Sequence, residues 1–363
     1  MAKDEQLRII LAGGGTGGHL FPGVAIAEEF LKREPANRVL FIGTERGLER
    51  RVLGKMGYDL RTIDIVGIRG TGLFRQICGV GKIPVSMAQS YAIVRDFDPH
   101  MVIGVGGYAS GPAVITACLM GKKTAIAEQN AVPGITNRIL GRFVDKIFLT
   151  FQETAKWFAE GKVVVSGNPV RSDFVKRVTR SEGEHEVFTV LIYGGSQGAA
   201  GINRAVVDSL YHLGEIQDHL KIIHQTGDRD LEMVSAAYRD FQIQAEVFPF
   251  IHDMAAVYNR ADLLVCRAGA TTIAEITASG KVAILIPFPF AVGDHQTLNA
   301  RVLVDAGAAE MIPEKELTGE NLAGAIKDLF ESYEKRMRME KYSQKLGNVT
   351  AARCIVDECM KVM

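Results

Sequence analysis

The chain has 363 residues, 47% of them hydrophobic, and 42 basic side chains balance 42 acidic ones. That hydrophobicity excludes intrinsic disorder, and the length suggests about two domains. Zero net charge gives no global reason to bind nucleic acid, although residues 1–170 carry 21 basic side chains against 15 acidic ones and the remainder 21 against 27.

The five cysteines (Cys78, Cys118, Cys266, Cys354, Cys359) form no CxxC pair, which suggests reduced, mostly buried thiols rather than disulfides or a zinc site. Met1–Glu5 lead directly to the first strand without the pattern of a secretory signal. The longest apolar run, Val282–Val292, holds Pro287 and Pro289 and falls short of the ~20 residues of a membrane span. A soluble protein is expected, or one resting on a membrane surface.

Strand Arg8–Ala12 leads to the glycine loop Gly13–Gly18 and then His19. A helix is expected from near Pro22, with Val24, Ala27, Phe30 and Leu31 on one face. Apolar strands follow at Val39–Ile42, Met101–Val105, Thr124–Ala127 and Lys146–Leu149. A boundary is expected near Gly167-Asn168-Pro169, before a charged stretch, Arg171–Glu186. Strand Val187–Tyr193 restarts the pattern with a second glycine loop, Gly194–Gly198, and strands are expected at Lys221–His224, Glu246–Phe248, Leu263–Cys266 and Val282–Ile286. Short apolar strands separated by helices imply parallel sheets covered on both faces. The domains are therefore 1–168 and 169–363, and the last helix, about 348–363, is a candidate to pack back onto the first.

A strand, a glycine turn and a helix aim backbone N–H groups at an anion. The first loop fits GxGxxG through Gly13, Gly15 and Gly18, so a dinucleotide dehydrogenase is one reading, with Glu45 as the ribose-binding acid at longer spacing than usual. A tight packing turn is another. A neutral imidazole at the entry of a helix, as His19 would supply, suits general-base work on a hydroxyl; a simple helix cap is the alternative. The second loop fits GxSxG through Gly194, Ser196 and Gly198, which admits a hydrolase with Asp294-His295 as partners or a phosphate cradle.

Arg267–Glu275 makes a third strand–glycine–helix turn. The N–H groups of Ala270, Thr271 and Thr272 suit phosphate, and Glu275 suits ribose hydroxyls or serves as a first-turn acid. Pro287–Phe290 leads to Asp294-His295-Gln296 and Asn299, polar groups that suit a sugar or an ordinary surface loop. Asp96-Phe97-Asp98 and Asp228-Arg229-Asp230 match Asp-x-Asp. The first lies at the wrong edge of a sheet and the second more simply opens a helix, so no obligatory metal is expected. Ile65–Arg95 lacks acidic residues and interleaves Arg69, Arg75, Lys82 and Arg95 with Leu73, Phe74, Ile77, Val80, Ile83 and Val85. That composition suits an anionic membrane surface or an ordinary basic helix.

Taken in order, Gly13–His19, Gly106–Pro112, Glu128–Asn130, Gly167–Arg171, Gly194–Ala199, Arg267–Glu275 and Asp294–Ala300 resemble the MurG family, bacterial transferases that add N-acetylglucosamine to undecaprenyl-diphospho-muramoyl-pentapeptide (lipid I). The individual glycine loops are unspecific; the ordered set is specific and spans most of the chain. The resemblance implies an α/β GT-B fold, two Rossmann-like doubly wound domains with a cleft between them. UDP-N-acetylglucosamine would lie mainly on the C-terminal domain. Ser196 and its loop would hold the diphosphate, Ile251 would present backbone to the uracil, Ala270, Thr271, Thr272, Ile273, Ala274 and Glu275 would serve diphosphate and ribose, and Gln296 the sugar. Thr16, Gly17, Gly18, Asn130 and Arg171 would complete the site, with His19 as base and no cofactor. The lipid would reach the cytoplasmic face of the bacterial membrane near residues 65–90. His295 stands where the family often has a first glutamine, and Thr297-Leu298 replace aromatic residues. The alternatives are another GT-B UDP-sugar transferase or an NAD-dependent dehydrogenase.

Overall fold

A computed structural model describes residues 6–45, 48–65, 81–175, 187–195 and 198–363. The chain forms two units: Met1–Ser172 with Val349–Met363, and Asp173–Asn348.

The first unit carries β1 (Arg8–Gly13), β2 (Arg38–Gly43), β3 (Asp59–Thr62), β4 (Met101–Gly106), β5 (Lys123–Glu128), β6 (Lys146–Leu149) and β7 (Val163–Val165). All pair in parallel in the order β3-β2-β1-β4-β5-β6-β7. Successive residues of a strand point to opposite faces. Ile9 and Leu11 therefore enter one core with Val24, Phe30, Ile355, Val356 and Cys359. Ile10 and Ala12 enter another with Ala113, Val114 and Ala117. Burial on both faces explains the unbroken apolar runs, and each large buried side chain contributes roughly 1.5–3 kcal/mol before entropy is charged. The C-terminal helix Ala351–Met360 thus covers one face of this sheet. Lys146–Glu358 (3.0 Å) and Arg33–Asp357 (2.8 Å) fringe it.

The second unit carries β8 (Phe188–Tyr193), β9 (Leu220–Gln225), β10 (Gln244–Phe248), β11 (Leu263–Cys266), β12 (Val282–Leu285) and β13 (Ala309–Met311). Their order is β10-β9-β8-β11-β12-β13, again parallel throughout. In each sheet the strand order reverses beside the first strand, between β1 and β4 and between β8 and β11. Connections leave in opposite directions at such a point, and a crevice opens at the carboxyl ends of the strands.

The first helix departs from the start expected for it. It begins at Gly17, not near Pro22, and runs to Arg33 with Pro22 inside it. Two leading glycines disguise the start, because glycine is a poor helix former. Packing of Leu20 and Val24 into the core overrides that weak preference. His19 consequently sits within the first helical turn.

Candidate functional site

At the reversal point of the first sheet, the loops after β1 and β4 meet. The Gly14 N–H donates to the Gly106 carbonyl at 3.3 Å. Thr16 is the N-cap of the helix, in extended conformation at φ −134°. Thr16 and Gly18 are exposed, Gly17 and His19 half-buried. The His19 ring lies against the backbone of Gly106, where a Cβ would come within 2.5 Å of Nδ1. Gly106 also has φ +95°, in the region that side chains disfavour. Glycine at 106 is therefore the condition for His19's position. The His19 Nδ1 stands 3.3 Å from Gln129 Oε1, at the end of β5.

Two buried carboxylates organise these loops. Glu49 accepts hydrogen bonds from the Gly15 N–H (2.8 Å), the Thr44 N–H (2.7 Å) and the Thr44 hydroxyl (3.0 Å). An internal anion thus holds a donor that the sequence pattern offers to a phosphate. Glu45, the acid considered for a ribose, is instead exposed and pairs with Arg50 and Thr62. Glu128 accepts from the Asn130 N–H (3.0 Å) and Nδ2 (3.3 Å), the Gly134 N–H (3.0 Å) and Asn137 Nδ2 (2.9 Å). That carboxylate fixes where Asn130 stands. Arg171 places its guanidinium over the Phe21 ring, 4.3 Å from the centroid. Thr16–His19, Asn130 and Arg171 all belong to the first unit.

In the second unit, the glycine loop closes with the Gly198 N–H on the Gly195 carbonyl at 3.1 Å. Gly198 has φ +75°, and a Cβ there would overlap the Thr226 carbonyl oxygen. Ser196 lies outside the described residues. Gln225, at the end of β9, donates from Nε2 to the Gly195 carbonyl and accepts the Ile251 N–H on Oε1, both at 2.7 Å. With that N–H committed, the carbonyl is what Ile251 can offer a base.

The helix Ala270–Ser279 starts at the end of β11 with Gly269 as N-cap. Ala270, Thr271, Ile273 and Glu275 are buried, Thr272 and Ala274 half-buried. Glu275 is the sixth helical residue, so the first-turn reading of this acid does not hold. Burial raises the Tyr193 hydroxyl well above its usual range, and the neighbouring Cys266, Tyr258 and Glu275 raise it further. Burial also pushes the Cys266 thiol up to about 12. Arg267 pairs with Glu314 at 2.5 Å and donates to the carbonyls of Ile286 (3.1 Å) and Pro287 (3.2 Å). These contacts make it a strut for the loop after β12. Gln296 accepts the Phe288 N–H on Oε1 at 2.9 Å, and Asn299 donates to the Ala268 carbonyl at 3.2 Å.

Asp98 of the first Asp-x-Asp pairs with Arg8 and Lys122. Asp230 of the second is a helix N-cap and accepts from Asn203 Nδ2 at 2.7 Å. Residues 66–80 of the basic stretch lie outside the described residues. Of the rest, Lys82 pairs with Asp64 and Arg95 with Asp96, while Val85 and Tyr91 are exposed. Among the described residues, no helix is long and apolar enough to cross a membrane. Glu49 and Gln225 had not stood out in the sequence, and Gln129 only as the middle residue of Glu128–Asn130. Each acts across the fold on a loop 26 to 110 residues away, a relation that linear spacing does not display.

Residues 9–149 match the N-terminal domain of glycosyltransferase family 28, and residues 189–355 its C-terminal domain. The chain belongs to glycosyltransferase family 28. It is 56% identical over 357 residues to a Syntrophus aciditrophicus protein named UDP-N-acetylglucosamine--N-acetylmuramyl-(pentapeptide) pyrophosphoryl-undecaprenol N-acetylglucosamine transferase, covering 98% of this chain and 99% of that protein. A Myxococcus xanthus protein of the same name is 49% identical over 99% of this chain and 94% of its own length. The crystal structure of Acinetobacter baumannii MurG matches with a TM-score of 0.76 at 31% identity, covering 98% of this chain and 99% of that one.

Proposed function

We propose that this chain transfers N-acetylglucosamine from UDP-N-acetylglucosamine to the 4-hydroxyl of the muramoyl-pentapeptide of lipid I. The products are UDP and a β-1,4-linked disaccharide lipid (lipid II), in peptidoglycan synthesis. The observation that carries the reading is His19, held in the first turn of a helix at the reversal point of the first sheet, in a chain whose relatives bear that transferase's name.

His19 takes the proton of the acceptor hydroxyl as its oxygen bonds to the anomeric carbon. The bond from that carbon to the UDP oxygen breaks, so the configuration inverts. Charge grows on the departing diphosphate, and N–H groups at the start of the Ala270–Ser279 helix, with the Ser196 loop, stabilise it. Glu275 accepts ribose hydroxyls, the Ile251 carbonyl meets the uracil, and Gln296 donates from its amide NH2 to the sugar. Thr16, Gly17, Gly18, Asn130 and Arg171 serve the acceptor side. In this reading the first unit binds acceptor and membrane, and the second binds donor.

A dehydrogenase reading is disfavoured by Glu49, whose carboxylate holds the Gly15 N–H that a dinucleotide diphosphate would need. Transfer of radiolabelled sugar to a short-chain lipid acceptor tests the assignment. His19→Ala should lower kcat by ~10²–10⁴, the usual range for a positioned base; a wild-type rate would remove His19 from the chemistry. Peripheral attachment to the cytoplasmic face of the membrane is read from the basic, apolar stretch around Phe74 and Arg75. Flotation on anionic liposomes should weaken when both are altered, and unchanged flotation would place the attachment elsewhere.

A further inference from the structure

We infer that Gln129 is a positioning residue that fixes the tautomer of His19, holding the proton on Nδ1 and leaving Nε2 as the atom that accepts the substrate proton. The inference rests on the reading of His19 as base and extends it to a second residue and a particular ring atom.

The Gln129 amide has one orientation open to it. Gln129 is 2% exposed, and its Nε2 donates to the Ala127 carbonyl at 3.2 Å. Were the amide reversed, its oxygen would face that carbonyl oxygen at the same distance, two acceptors with no proton between them. The hydrogen bond to Ala127 therefore turns Oε1 toward His19. An amide oxygen only accepts. The His19 Nδ1 facing it at 3.3 Å must then be the donor, and in a neutral imidazole the other nitrogen is the acceptor.

The surroundings keep this arrangement rigid. Gly106 lies against the Nδ1 edge of the ring. Ala127 and Glu128 are the last residues of β5. Asn137 Nδ2 bonds the same Ala127 carbonyl at 3.3 Å and Glu128 at 2.9 Å, so the carbonyl that aligns Gln129 is itself fixed. The logic is that of the carboxylate behind the histidine of a serine-protease triad, with a neutral amide in the carboxylate's place. An amide orients the ring without adding a full charge behind it.

Two measurements test this. In 15N-histidine-labelled protein, with the His19 signals assigned by their loss in His19→Ala, long-range 1H–15N correlation reports which ring nitrogen carries the proton. Wild type should show the Nδ1–H tautomer; an Nε2–H signal in wild type overturns the inference without any Gln129 variant. Gln129→Met, close in volume but without an amide oxygen, should move the ring toward Nε2–H. It should lower kcat about 10- to 100-fold while the KM for UDP-N-acetylglucosamine stays within twofold. A folded Gln129→Met with the wild-type tautomer or wild-type kcat overturns it as well. If His19→Ala keeps full activity, the base assignment fails; the tautomer measurement then judges Gln129's hold on the ring separately.

Discussion

Glu49→Gln is the sharpest test of how the first glycine loop is held. The carboxylate accepts from Gly15, from the Thr44 N–H and from the Thr44 hydroxyl, and Glu49 is fully buried. A glutamine can keep its oxygen on the two Thr44 donors, but its NH2 then meets the Gly15 N–H, donor against donor, at a site now spaced 2.8 Å. The loss is one hydrogen bond to a charged acceptor, about 1.5–3 kcal/mol, with an unsatisfied donor added. Gly15 is exposed and can turn to water, so a net cost of about 2–3 kcal/mol is expected. The unit comprises Met1–Ser172 and Val349–Met363. For a domain of that size each kcal/mol lowers Tm by about 2–4 °C, so the first unit's unfolding should move down by roughly 4–12 °C. Scanning calorimetry with and without the substitution measures it, and amide exchange at Gly15 should accelerate. A shift under about 1 °C, with exchange at Gly15 unchanged, would mean that the carboxylate does not hold the loop.

Three further outcomes are expected. Gly106→Ala places a methyl where the His19 ring lies and a side chain at φ +95°; kcat should fall about 100-fold, as for a displacement near 1 Å, and a wild-type kcat would refute the contact. Glu275→Ala should raise the KM for UDP-N-acetylglucosamine with a smaller effect on kcat; an unchanged KM would exclude ribose contact. Burial lowers His224 from its usual 6.5 to about 3, so the folded state keeps it neutral while the unfolded chain binds its proton. The stability this gives the second unit is fully present above pH 6.5 and is lost as pH falls toward 3, by up to about 1.4 kcal/mol per pH unit. His224→Gln should flatten that part of the unfolding profile, and identical slopes in both proteins would refute it.

The sheet strands buried on both faces were legible because their apolar runs are continuous: Ile9–Ala12, Met101–Val105 and Leu263–Cys266 each lie wholly inside. The short edge strands β3, β7 and β13 were not. Asp59–Thr62 is exposed or half-buried throughout and carries no apolar signature. The strand-to-helix turns that carry the candidate site residues were readable, since a glycine turn has a fixed place in the chain pattern. The residues that hold those turns were not. Glu49 belongs to a six-residue helix, Gln129 follows a strand end, and Gln225 closes one; nothing in their local sequence says which loop they reach. Arg267 likewise reaches Glu314 and the carbonyls of Ile286 and Pro287, partners that its place beside a glycine turn does not indicate.

The two glycine loops answer to different demands despite similar spelling. In the first, the N–H of Gly15 is satisfied from within by Glu49, and the loop brings the start of a helix, and His19 with it, against Gly106 and Gln129. In the second, Gln225 ties the Gly195 carbonyl to the Ile251 N–H, so one side chain couples the loop assigned to the diphosphate with the residue assigned to the uracil. A GxGxxG spelling counts glycines, and glycines are needed wherever backbones pass close. An N–H of such a loop can meet a phosphate only where no side chain of the same chain already holds it. At Gly15 one does.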